Sequence, residues 1–205
     1  QRAERFPRVG GFDEPGDPLR NANGKGSDLI VPAGAGPAYQ AAAGVEGGAY
    51  AFNGQQRLVA PINIGPASLP QLTMGAWVKT ASLDSGLRKV IGHDDGGWDR
   101  VIGLDNRYNS FRYTSFVGNG SPLEGTPEPI STDVWTFIAA TYDQNLNSLS
   151  FYTDLDVSTT GDPLVVVESA TGFGAGWPTA AIGGVRPDNA DEGWQGLIDN
   201  VFFYQ

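Results

Sequence analysis

Glycine and proline punctuate this chain too densely for long helices. It holds 29 Gly and 14 Pro in 205 residues. Inside a helix a Gly costs about 1 kcal/mol and a Pro about 3 kcal/mol relative to Ala. No window combines helical periodicity with capping residues. What remains is a series of short runs rich in β-branched and aromatic residues, bounded by turn signals. Residues 72–79 alternate cleanly, so Leu72, Met74, Ala76 and Val78 share one face. Further strands are predicted at 49–52, 57–60, 88–93, 99–104, 110–117, 134–142, 148–153, 164–168, 179–183 and 196–204. Asn53-Gly54 is a hairpin signal, and 118–130, with three Pro and three Gly, reads as a loop. Many short strands with frequent turns imply an all-β jelly-roll sandwich of two antiparallel sheets. A length of 205 residues suits one such domain. Residues 1–48 lack periodicity and are expected to form an arm packed on it, with one short strand near Leu29-Ile30-Val31.

Charge narrows the partners. The chain carries 13 basic and 23 acidic side chains, a net of −10. Residues 1–90 sum to +2 and residues 91–205 to −12. Such a surface repels phosphate backbones and anionic bilayers, so neither nucleic acid nor membrane insertion is expected. Divalent cations stay open, because hard cations take carboxylate oxygens. The other reading of the charge is solubility alone. The absence of cysteine excludes disulfides, thiol nucleophiles and thiolate metal sites. The single histidine, His93, excludes zinc sites built on several histidines.

Five segments, in order, carry a resemblance. Tyr50-Ala51-Phe52-Asn53-Gly54 is similar to the opening of laminin-G-like domains. Residues 72–79, with Ala76-Trp77-Val78-Lys79, resemble their "apolar-Thr-x-x-Ala-Trp-Val-Lys" strand. Residues 133–143 resemble "Trp-x-x-apolar-Ala-x-Thr-Tyr-Asp". Ala181-Ile182-Gly183-Gly184 and residues 196–204 resemble the last two strands. Together they span 50–204 and identify the chain as a member of the concanavalin-A-like lectin/glucanase superfamily. The resemblance implies a single jelly-roll domain over 1–205. It implies a non-catalytic module, extracellular or at the cell surface, for binding or adhesion and often calcium-dependent. The partner would be a glycan or an extracellular protein. The chain begins with Gln and no leader pattern follows, so it is expected to be a piece of a larger multidomain protein. One departure is visible: Thr153-Asp154-Leu155-Asp156 stands where the family usually has "Val-Asp-Gly".

The richest window for chemistry is His93-Asp94-Asp95-Gly96-Gly97-Trp98-Asp99-Arg100. Asp94, Asp95 and Asp99 could ligate calcium, which accepts six to eight oxygens. Asp99 matches the family position. Trp98, Arg100 and Asp95 could hold a sugar by stacking and hydrogen bonds. The alternative is a solvated acidic turn. Asp199 interrupts the otherwise apolar strand Ile198 to Tyr204, where an unpaired buried carboxylate would be costly. The resemblance implies a structural calcium there, completed by backbone carbonyls of the N-terminal arm and the early Gly-rich turn, with Gly47 or Gly48 supplying one. The alternative is hydrogen bonding to backbone amides. Trp177, in a loop, is a further ligand candidate or a core residue; Trp194, at the end of the acidic loop 186–194, is a ligand candidate or part of an exposed loop; Trp77 and Trp135 are expected in the core.

Enzyme readings fare poorly. The "Glu-x-Asp-x-x-Glu" strand of retaining glycanases on this fold is absent, and Ile91-Gly92-His93 replaces the lyases' "Gln-x-His". Glu168 and His93 are what an unrecognised glycan-active enzyme would have to use. A third expectation is a structural spacer of a larger surface protein with calcium only as a brace.

Overall fold

The computed structural model describes residues 19, 28–34, 36–84, 86–94, 100–107, 110–117, 123–124, 130–146, 148–153, 165–168 and 177–205. Among these residues there are thirteen strands and no helix. One sheet has seven strands: β1 (Ala38–Gln40), β2 (Ala49–Asn53), β13 (Gln195–Tyr204), β4 (Gln71–Thr80), β9 (Trp135–Asp143), β10 (Ser148–Thr153) and β11 (Val165–Glu168), in that order. The other has six: β3 (Leu58–Ala60), β12 (Ala180–Ile182), β5 (Arg88–Gly92), β6 (Arg100–Asp105), β7 (Arg112–Val117) and β8 (Leu123–Glu124). Every strand pair is antiparallel. This is the predicted all-β sandwich, a concanavalin-A-like jelly roll. No helix among the described residues is long and apolar enough to cross a membrane.

The core follows from period-two alternation. Leu72, Met74, Ala76 and Val78 of β4 point into the sandwich, as the sequence predicts. Ile138, Ala140 and Tyr142 of β9 and Ile198 and Phe203 of β13 join them. Ile91, Ile102, Leu104 and Tyr113 meet them from the six-stranded sheet. Leu29 belongs to the same core, and Ile30 exchanges backbone hydrogen bonds of 2.9 and 2.8 Å with Val59. That bridge is the short pairing expected near Leu29.

Two elements escape the sequence reading. β1 has all three residues exposed and is held to β2 by backbone pairing, so it shows no alternation to detect. β8 lies within the expected 118–130 loop.

Arg100 requires a correction. Instead of reaching a ligand rim it is fully buried on the inner face of β6. Its Nη1 donates to the carbonyls of Ile64, at 3.1 Å, and of Leu69, and Nη2 donates to the carbonyl of Pro70 at 3.3 Å. The guanidinium carbon lies 5.0 Å from the centre of the Tyr142 ring. Burial lowers its pKa to about 10, which leaves it charged at neutral pH. A rigid fork with five donors suits a convergence of backbone acceptors, and here it ties the 64–70 loop to the core.

Candidate functional site

The outer face of the seven-stranded sheet carries the aromatic residues that alternation excludes from the core. On β4 and β9, Trp77 and Phe137 are register partners and point outward, each half-buried. Their ring centres are 5.6 Å apart. On β13 a bulge between Asp199 and Phe202 shifts the register against β4, so Phe202 and Tyr204 also face outward. Phe202 stacks on Phe137 at 5.9 Å and touches Tyr204 at 5.3 Å. Gly75 makes this close approach possible: a Cβ there would lie 2.6 Å from the Phe202 ring and 2.6 Å from the Ile138 carbonyl. The four rings floor a cleft of about 440 Å³ whose wall includes Val45, Glu46 and Asn200. Trp135 lies on the same face, half-buried, with the Lys79 ammonium 5.6 Å from its ring centre. Trp77 and Trp135 are therefore surface aromatics, not the core residues expected. Pattern alone could have shown this, because both fall out of phase with the buried residues of their strands.

Beside the cleft lies Asp199. Its Cα partner is Trp77, and its side chain is fully buried beneath the 43–48 turn. Oδ2 accepts from the Val45 amide at 2.8 Å, and Oδ1 from the Asn200 amide at 2.7 Å. Asn200 sits in the left-handed region with φ 49°, which lets its amide turn back onto that carboxylate. The 43–48 turn brings further oxygens. An ideal Cβ on Gly44 would lie 2.6 Å from the Gly48 carbonyl oxygen, 2.7 Å from Asp199 Oδ2 and 2.9 Å from the Glu46 carbonyl oxygen. Three oxygens thus crowd the Gly44 α-carbon, where only a glycine fits. The Cβ point itself is one C–C bond from that α-carbon and cannot hold an ion; what suits a hard cation here is the donor chemistry, a buried carboxylate beside backbone carbonyls of the turn. Of the two expected donors, the Gly48 carbonyl lies beside Asp199 Oδ2 together with that of Glu46, whereas the Gly47 carbonyl accepts the Gly44 amide at 3.0 Å. Among the described residues no three His, Asp or Glu side chains cluster as a metal site, so backbone carbonyls would supply most of the protein ligands here.

The remaining predicted site residues scatter. Asp95, Trp98 and Asp99 lie outside the described residues. Asp94 and Trp177 do meet: Trp177 Nε1 donates to the Asp94 carbonyl at 3.2 Å, and the Arg186 guanidinium is 5.7 Å from the indole centre. Trp194 is fully buried, and its Nε1 donates to the Leu197 carbonyl at 3.2 Å. That corrects its reading as a ligand platform. The acidic loop that precedes it is anchored to the six-stranded sheet. Lys89 is almost fully buried, with Nζ 3.8 Å from Asp105 and 3.9 Å from Glu192. Burial lowers the Lys89 pKa and raises that of Glu192, while the facing charges oppose both shifts. For Asp105 burial works upward, but hydrogen bonds from Arg107 and the Lys89 charge outweigh it and hold the carboxyl below its ordinary value.

An antiparallel sandwich of seven and six strands, with an aromatic outer face, defines a lectin-like class of β domain. The chain belongs to the concanavalin A-like lectin/glucanases superfamily, through a Laminin_G_3 family match over residues 46–205. No curated protein sequence matches it significantly. Among solved structures it is similar to domain 4 of AbnA, an extracellular GH43 arabinanase of Geobacillus stearothermophilus in complex with arabinotriose. That match has a TM-score of 0.70 at 19% identity and covers 100% of this chain and 94% of that one. It is also similar to the CBM40 of a Ruminococcus gnavus IT-sialidase, with a TM-score of 0.53 at 15% identity, covering 76% of this chain and 89% of the other. A Trypanosoma rangeli sialidase matches with a TM-score of 0.55 at 17% identity, covering 92% of this chain but 32% of the enzyme.

Proposed function

We propose that this chain is a non-catalytic glycan-binding module, and that the glycan lies in the cleft floored by Trp77, Phe137, Phe202 and Tyr204. The observation that carries the reading is this row of half-buried rings on the outer face of a complete sheet. Nothing in the sandwich core needs them there. Aromatic rings give apolar sugar faces a large contact area at little cost in conformational entropy. A binding role rather than a cleaving one is supported by the lining, in which Glu46 is the only carboxylate side chain among the described residues. Retaining glycosidases need two carboxyl groups about 5 Å apart and inverting ones a somewhat wider pair. The AbnA domain is seen with arabinotriose, and the Ruminococcus gnavus CBM40 is also seen bound to alpha2,3 sialyllactose, which agrees with this reading.

Calcium in the Asp199 cradle would brace the turn that forms the cleft wall, since Glu46 contributes to both. The setting we infer is extracellular or at a cell surface, within a larger protein.

Affinity electrophoresis against a panel of soluble neutral polysaccharides (arabinan, galactan, xylan, mixed-linkage glucan) tests the proposal. Trp77→Ala and Phe137→Ala are expected to weaken retention at least tenfold, while Trp177→Ala leaves it unchanged. Loss with Trp177→Ala alone would move the site to the Asp94 rim. No retention of any glycan would overturn the proposal.

A further inference from the structure

We propose that the cleft is selective by charge, taking neutral glycans and rejecting uronates and other acidic sugars; this rests on the glycan-binding reading above. The fold itself leaves charge open, because similar domains are seen with arabinotriose, which is neutral, and with sialyllactose, which is acidic. The side chains of this chain decide it. The three strands that floor the cleft, β13, β4 and β9, carry one cationic residue between them, Lys79. Lys79 lies one outward position beyond Trp77, and its ammonium is drawn over the Trp135 ring. The same strands and the adjoining turn carry Asp143, Asp199 and Glu46.

Carboxylate recognition relies on paired Arg or Lys donors or on helix N-termini. Among the described residues no Arg or Lys lines the cleft, and there is no helix. The six described arginines lie elsewhere: Arg57 is on the Pro187 and Asp188 carbonyls, Arg88 on Asp84, Arg100 in the core, Arg107 on Asp105, Arg186 on Asp188, and Arg112 on β7 of the other sheet. A carboxylated sugar entering the cleft would be desolvated against Glu46, with no cation on the floor to meet it. A neutral sugar loses only hydroxyl hydration, and Asn200 and the Tyr204 hydroxyl offer polar partners at the edge.

The test uses each polysaccharide of the panel in its native form and after oxidation of its primary hydroxyls to carboxylates. Affinity is measured by calorimetry at low and physiological salt, in calcium and in EDTA. The native form is expected to bind at least tenfold tighter than the oxidised form in both buffers. The gap should narrow as salt screens the repulsion. Glu46→Lys, at an exposed position of the cleft wall, should narrow the ratio of the two affinities further. Oxidised glycan binding as tightly or tighter in either buffer, with Trp77→Ala abolishing it, would overturn the charge selectivity and leave the binding site standing. Absence of binding by every native and oxidised form would overturn both.

Discussion

Replacing Asp199 with Asn removes the charge of the oxygen cradle while keeping its shape. In the wild type, calcium at about 100 times its dissociation constant adds RT ln(1 + [L]/Kd), about 2.7 kcal/mol. For a domain of about 150–250 residues each kcal/mol moves Tm by about 2–4 °C, so calcium should raise Tm by roughly 5–10 °C over excess EDTA. Asp199→Asn keeps an oxygen for the Val45 amide, 2.8 Å away, so its melt in EDTA should stay near wild type. The calcium increment should vanish. Gly44→Ala is the steric counterpart, because its methyl would press on the three oxygens from 2.6–2.9 Å and push them out of place. It too should lose the increment, with a further cost of about 1–3 kcal/mol for the crowding. Magnesium should not substitute, since it demands octahedral oxygens at about 2.0–2.1 Å and gives up its water reluctantly. Scanning calorimetry on the three proteins in calcium, magnesium and EDTA decides the matter. A wild type with no calcium shift, or a shift that survives both substitutions, would refute the cradle.

Two further outcomes follow from buried charge. Arg100→Leu strips donors from three carbonyls in the 64–70 loop, and hydrogen bonds to a charged group are worth about 1.5–3 kcal/mol each, so urea unfolding should show a loss of at least about 3 kcal/mol. Asp105 has a folded pKa below its unfolded value, so the unfolded chain takes up the proton first as pH falls. Its contribution is present above about pH 4 and is lost as pH drops through the folded value. Urea midpoints between pH 2 and 6 should therefore fall less steeply for Asp105→Asn than for wild type.

How legible the molecule was in its sequence depends on what held each element. β4 and β9 bury every second residue, so their alternation marked both strand and inner face. β1 buries nothing and left no trace. The same alternation already placed Trp77 and Trp135 outside, but the expectation that tryptophan is core outweighed the phase. Asp199 stood out because a carboxylate broke an apolar run, whereas the Glu46 carbonyl beside it is a backbone oxygen that no side-chain pattern encodes. Arg100 and Trp194 were misplaced for a related reason. Both are amphipathic, and their polar ends find carbonyls inside the fold that become visible only once the loops close over them.

The position of β13 also sets an order of events during synthesis. It lies between β2 and β4, so a nascent chain that has not reached residue 195 holds the large sheet as two separate pieces. The 43–48 turn meets its carboxylate only after the 154 residues that separate Val45 from Asp199 are made. At about 5–20 residues per second the ribosome needs roughly 8–30 s for that stretch. For that interval β2 and β4 present open edges that invite pairing with other chains. The last strand to emerge closes the sheet, sets the bulge and completes both the Asp199 turn and the aromatic cleft, so this outer face is assembled in a single late step.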